Sequence, residues 1–281
     1  MNEIALSLGA DNNLVGVLTL PDGPRSRVGV MLLNAGVVHR IGPHRTNVKI
    51  ARNLAQQGYT VVRFDISGVG DSWPPRNAAP FDQQAVRDVQ TVMDYLQLEH
   101  GLSEFALYGI CAGARNAYAT ALVDDRVVGA FMFDGYAYPT IKSYFVQYVA
   151  RIRARGLARL PIVLAKRAGR LLSTLFRRAN TTELEYPAPS PVSALARARF
   201  ATELQSVVDR GVRIVIMFSG SVFSEYSYAM QLRDAFQGHR FIGQVVCHHV
   251  PAIDHLVTPL NAQQRLLELI NEWMTQTSLP R

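Results

Sequence analysis

The stretch LYGICAGARNAY, Leu107 to Tyr118, decides how this chain is read. Gly109 and Gly113 flank Cys111 at equal distance. The apolar run before them has the length and hydrophobicity of a buried strand, and the alanine-rich run after them is a strong helix former. A strand that becomes a helix within so few residues holds its apex residue in strained backbone geometry, and flanking glycines avoid the collisions that larger side chains would bring. The apex side chain then stands above the sheet at the N-terminal end of the helix, where the helix dipole favours an anion. A cysteine in that place is either a nucleophile or a small residue that packs.

Outward from the turn, short apolar runs alternate with helical spacing. The runs Val28–Leu33, Thr60–Phe64, Phe105–Tyr108, Val127–Phe133, Val212–Phe218 and Phe241–His248 are continuous enough to be buried parallel strands. Val86, Val89, Met93 and Leu96 recur at three and four residues, and so do Leu266, Ile270 and Trp273. Thr258-Pro259 predicts a helix start, with the hydroxyl as cap and proline at the first position. Gly58 predicts the end of a helix that begins near Asn47. Ile4–Leu8 and Leu14–Leu20 pair as a predicted hairpin across the intervening turn. The alternation predicts an α/β fold with a mainly parallel sheet flanked by helices.

Composition agrees. The chain has 281 residues, 48% hydrophobic and 18% charged, which describes one large core carrying an insertion and argues against disorder. No apolar run approaches the roughly 20 residues of a spanning helix, and the N-terminus has no basic region of the kind that opens a signal peptide. With only Cys111 and Cys247, a disulfide scaffold is not expected, and a reducing, cytoplasmic setting is. Cys247, in an apolar run, is expected to pack.

With the turn placed, the chain resembles the α/β-hydrolase superfamily over nearly all its length. The pieces LLNAGVVHR, VVRFDISGVGDS, the glycine-flanked turn and PAIDH follow the third, fourth, fifth and last predicted core strands in the superfamily's order. NAGVVHRIGPHR and RFDISGVGDS are similar to the exosortase-system-associated branch of bacterial hydrolases. The superfamily's usual serine is absent, and Cys111 stands in its place. The resemblance implies that Cys111 is the nucleophile and His255, in VPAIDHLVTP, the base. For the acid it implies Glu225, the carboxylate soon after Val212–Phe218, with Asp134 one strand earlier as the alternative. Asp254 adjoins His255, and neighbouring side chains diverge. Glu225 is equally explained as a carboxylate starting a helix. The backbone N–H groups of Val37 and Ala112 are the implied oxyanion donors. Gly36 is expected to let the main chain approach closely, and His39 and His44 to line the site, His39 as a substrate-binding residue. DISGVGDS reads as a structural turn, and His100 and His239 as surface residues.

The core is expected over residues 1–137 and 191–281, with a helical cap inserted over 138–190. From Lys142 to Arg178 the insertion holds ten cations and no acid, so against the chain's formal +7 the remainder is net negative by three. Aromatic and aliphatic residues interleave with those cations, as in a lid over a site. Such a surface also suits an acyl group carried by coenzyme A or an acidic acyl-carrier protein, or peripheral contact with a membrane. No nucleic-acid motif is present, and no cofactor or metal is expected. The function these features imply is acyl transfer through an acyl-cysteine, as a thioesterase or acyltransferase. The alternatives are a dienelactone-hydrolase-like cysteine hydrolase and a non-catalytic binding protein.

Overall fold

The computed structural model describes residues 1–9, 11–155 and 194–278. Its strands are β1 (Asn2–Leu8), β2 (Leu14–Leu20), β3 (Val28–Leu32), β4 (Thr60–Phe64), β5 (Glu104–Ile110), β6 (Val127–Phe133), β7 (Arg213–Ser219) and β8 (Val246–Val250). They form one sheet in the order β1-β2-β4-β3-β5-β6-β7-β8. From β4 to β8 every neighbouring pair is parallel. The β1–β2 hairpin joins antiparallel at the β4 edge.

The helices are α1 (Thr46–Gln56), α2 (Phe81–His100), α3 (Ala112–Val123), α4 (Ile141–Arg155), α5 (Ala194–Asp209), the short α6 (Gln231–Ala235) and α7 (Leu260–Thr277). They cover both faces of the sheet, which is why β3 and β6 carry no polar side chain. Along β7, Ile214, Ile216 and Phe218 pack with α2, α3 and α5, while Val215 and Met217 pack with α1 and α7. The same alternation in β5 sends Phe105 and Leu107 one way and Ala106, Tyr108 and Ile110 the other.

Three local expectations change. Phe241 begins no strand: it lies in a 3-10 turn, Arg240–Gly243, fully buried against α2 and α5's side of the core, and β8 starts only at Val246. Pro259 sits one residue before α7, and the Thr258 hydroxyl faces His44 Nε2 at 3.3 Å, so it caps nothing. His100 is half-buried against the Tyr95 ring, where burial lowers its pKa, while His239 is exposed as expected. Cys247 packs beside the Tyr226 hydroxyl at 3.4 Å, and burial pushes its thiol up.

The segment expected as a cap lies between β6 and β7. Its first helix, α4, is described; Arg159, Lys166, Arg167, Arg170, Arg177 and Arg178 lie outside the described residues. Among the described residues no helix is long and apolar enough to cross a membrane.

Candidate active site

Cys111 is the hinge between β5 and α3, with φ 56° and ψ −112°. That geometry strains any residue with a Cβ, and the glycines on either side explain how it is tolerated. A Cβ on Gly109 would come within 2.1 Å of the Gly113 carbonyl carbon, and one on Gly113 within 2.5 Å of the Asn34 carbonyl oxygen. Strand end and helix start therefore cross almost in backbone contact. The Cys111 N–H donates to Phe133 O at 2.8 Å, continuing the parallel ladder one residue beyond β5. Cys111 is half-buried, and no side chain caps the first turn of α3.

The ladder also places a carboxylate. Ile110 is in register with Phe133, so the next residues, Cys111 and Asp134, leave adjacent strands side by side. Asp134 likewise has positive φ, 50°. Its carboxylate is fully buried and accepts from Ser219 N at 2.8 Å, Ser219 Oγ at 2.6 Å and His255 Nδ1 at 2.8 Å. The His255 pKa is raised, first by that hydrogen bond, against a smaller lowering from burial. The His255 backbone N–H is held by Ser221 Oγ at 2.9 Å. Gly220 lets the Ser219–Ser221 turn meet the His255 loop, since a Cβ there would lie 2.3 Å from Pro251 O.

The carboxylate on His255 is thus Asp134, not Glu225. Glu225 is exposed, accepts from its neighbour Ser224 Oγ at 2.7 Å, and lies in a turn after β7, not at the start of a helix. Asp254 also turns away and holds Thr258 N at 2.9 Å. The position at the end of β7 where an acid was sought is occupied by Ser219, which reaches across to Asp134. Neither Ser219 nor Ser221 was singled out in the sequence; the signal was the SGS triplet closing β7.

Val37 lies in a tight turn closed by Val38 N to Ala35 O at 3.1 Å and is 88% exposed. Gly36 has φ 60°, and a Cβ there would meet nothing within 4 Å, so glycine serves the turn's conformation and not a close approach. His39, expected to line the site, is engaged by Asp71 and by the main chain of its own loop. Its Nε2 faces Asp71 at 3.1 Å, and its Nδ1 accepts from Ile41 N at 3.3 Å. Nε2 thereby joins a second carboxylate centre around Asp65, while Nδ1 is held by the main chain of its own loop.

That centre is the DISGVGDS turn. Asp65 is fully buried and accepts from Asn34 Nδ2 at 2.8 Å, Arg40 N at 2.6 Å, Arg40 Nη1 at 2.5 Å and Asp71 N at 3.1 Å. His39, Asp65 and Asp71 lie near enough to ligate one ion, but Arg40 Nη1 already bridges Asp65 and Asp71. The guanidinium is the cation of that cluster. Asn34 also holds Val38 O at 2.9 Å, so Asp65 fixes the turn that carries Val37.

Among the described residues, five of the six non-glycine residues with positive φ lie at this edge: His44, Arg45, Cys111, Asp134 and Val257. Strain concentrated at one edge of a sheet marks a functional corner. A strained turn between strand and helix, with a His–Asp pair one strand away, defines the α/β-hydrolase class. The family model described as serine aminopeptidase, S33, matches residues 35–214, and the chain belongs to this hydrolase family. The family description names serine; position 111 is cysteine.

Solved structures agree on the fold. An α/β serine hydrolase without a lid from Xanthomonas campestris superposes with TM-score 0.59 at 13% identity, covering 100% of this chain and 96% of that one. A thermophilic esterase from Thermogutta terrifontis gives 0.57 at 18% identity, covering 99% and 100%. A dienelactone hydrolase from Anabaena variabilis gives 0.56 at 14%, covering 98% and 97%. No curated protein matches the chain by sequence.

Proposed function

We propose that the protein is a hydrolase-fold acyl-transfer enzyme with Cys111 as nucleophile, His255 as base and Asp134 as the acid that orients it. The observation that carries this reading is the strained apex at Cys111, one register step from an Asp134–His255 pair at 2.8 Å. Nδ1 of His255 is taken by Asp134, which leaves Nε2 for the thiol. Nε2 takes the Cys111 proton as sulfur attacks the acyl carbon, and the Ala112 and Val37 N–H groups receive the oxyanion. The imidazolium returns the proton to the leaving group, and an acyl-cysteine remains. Water or another nucleophile then gives its proton to Nε2, attacks the acyl carbon and frees the thiol.

Sulfur at the apex favours passage of the acyl group onward as well as hydrolysis, because an acyl-thioester keeps more transfer potential than an ester. Thioesters or activated esters are therefore the proposed substrates. The likeness of two loops, Asn34 to Arg45 and Arg63 to Ser72, to exosortase-system-associated hydrolases belongs to the same proposal. A dienelactone-type cysteine hydrolase is the second reading, supported by the dienelactone hydrolase among the similar folds. Against a binding protein stands the buried Asp134 carboxylate held on the His255 imidazole, one strand from the Cys111 apex.

A short-chain thioester should leave an acyl group on Cys111, detected by mass after rapid acid quench, and His255→Ala should slow its formation. Acylation elsewhere, or at the same rate without His255, overturns the assignment. Turnover of a small lactone with none of the thioester would favour the second reading.

A further inference from the structure

Helix α4 is built inside out. Its N-terminus is fixed by a reciprocal cap, Thr140 N to Ser143 Oγ at 2.9 Å and Ser143 N to Thr140 Oγ1 at 3.0 Å. Gln147 Nε2 donates to Ser224 O at 3.0 Å, and Thr140 Oγ1 pairs with the Tyr228 hydroxyl at 2.8 Å. The face turned to the protein is therefore polar: Ser143 is 0% and Gln147 5% exposed. The opposite stripe, Ile141, Tyr144, Phe145 and Tyr148, is 92%, 57%, 67% and 46% exposed. Its spacing of three, four and seven residues is the one that normally seeks a core.

Cations border that stripe on both sides. At about 100° per residue, Lys142 and Arg153 fall on one flank and Arg151 on the other. All three are exposed, and Arg151 and Arg153 have no acidic partner among the described residues. The sequence contains no Asp or Glu from Gly135 to Thr182. A second copy of the chain is a poor occupant, since it would bring cations against cations. An acidic protein would answer the arginines but gives four large apolar side chains nothing to enter.

We infer that α4 docks on an anionic lipid surface, with the stripe entering the headgroup boundary and Arg151 and Arg153 meeting lipid phosphates. Tyrosine and phenylalanine suit that boundary because it offers apolar depth and water within one ring's length. An interfacial helix of this type enters by roughly 5–10 Å. The inference stands apart from the chemistry assigned to Cys111.

The test is co-sedimentation of the full chain with vesicles of phosphatidylcholine, alone or mixed with phosphatidylglycerol. The protein should bind the mixed vesicles and leave the neutral ones. Arg151→Gln with Arg153→Gln should weaken that binding about thirtyfold, the effect of removing two charges near an anionic surface. Raised salt should do the same. Tyr144→Ser, Phe145→Ser and Tyr148→Ser together should abolish binding at any salt, and Arg25→Gln with Arg76→Gln, away from α4, should leave it unchanged. Thermal melting identical to the parent shows that each variant is folded. Absent or charge-independent vesicle binding overturns the inference, as does equal loss in the Arg25/Arg76 control. Conversion of a dimer to a monomer by the aromatic substitutions would assign the face to a second copy, and arginine-dependent binding of an acyl-carrier protein without vesicle binding would assign it to that partner.

Discussion

Two fully buried carboxylates stand at the same edge of the sheet, Asp65 after β4 and Asp134 after β6, and they are answered differently. Asp65 accepts hydrogen bonds from a guanidinium, an amide side chain and two backbone N–H groups, which keep their protons across the ordinary pH range, and the His39 ring stands off at 3.6 Å. Asp134 receives a serine and an imidazole, and the imidazole titrates. A carboxylate closed by a permanent cation holds loops together. One that faces a group able to change its charge near neutral pH is equipped to help move a proton.

That contrast can be broken at several points. Cys111→Ala should remove turnover and leave the melting temperature nearly unchanged, since the apex accepts a small residue; retained activity in the purified variant would sink the nucleophile assignment. Asp134→Asn should lower kcat by up to about 10⁴-fold, as when an orienting acid leaves its imidazole in the wrong tautomer. The corresponding test, Glu225→Gln, should change kcat little.

The pH profile sharpens the comparison. Asp134 raises the His255 pKa, so the base form accumulates at higher pH than it would for an imidazole without that partner. In Asp134→Asn the rising limb of kcat/KM should move to lower pH. The stability this pair contributes is fully present below the unfolded histidine pKa and fades as pH rises through the raised folded value. Denaturant midpoints of parent and variant should therefore differ most in acid and converge toward alkaline pH.

Asp65→Ala should behave in the opposite way. It leaves the largely buried Arg40 with only the exposed Asp71, and a cost of about 3–5 kcal/mol in unfolding free energy is expected for breaking a buried pair. Loss of activity should follow loss of folded protein. If Asp65→Ala melts normally yet is inactive, the division between holding and reacting fails. The smallest effect belongs to Ser219→Ala, which removes one hydroxyl donor from Asp134 and should destabilise by about 1.5–3 kcal/mol, measured by chemical denaturation.

The strands, the turn and His255 were legible because their signals are local: apolar runs, two glycines around one residue, and a histidine in a loop after the last strand. Asp134 was legible only as an alternative to Glu225. Choosing between them depends on which strand end meets the histidine loop, and that is decided by Gly220 beneath Pro251 and by Ser219, a residue with no charge to announce itself. His39 looked like a site residue because its loop borders the site, yet neighbouring Asp71 captured its ring. Phe241 was misplaced because a buried aromatic in a 3-10 turn has the same composition as one in a strand. For α4, periodicity located the stripe but carries no sign, and only the inward bonds of Ser143 and Gln147 show which way it faces.

The crossing at Gly109 and Gly113 also separates what this scaffold can exchange from what it cannot. The flanking positions are locked by main chain, whereas the residue between them projects outward and differs from the family's named serine by one atom in kind. Cys111→Ser therefore requires no movement of the backbone, and the two residues stand a single base change apart. Saturation libraries would make the asymmetry visible: small residues at the apex should be recovered as folded protein with altered reactivity, and substitutions at either glycine should not be recovered at all.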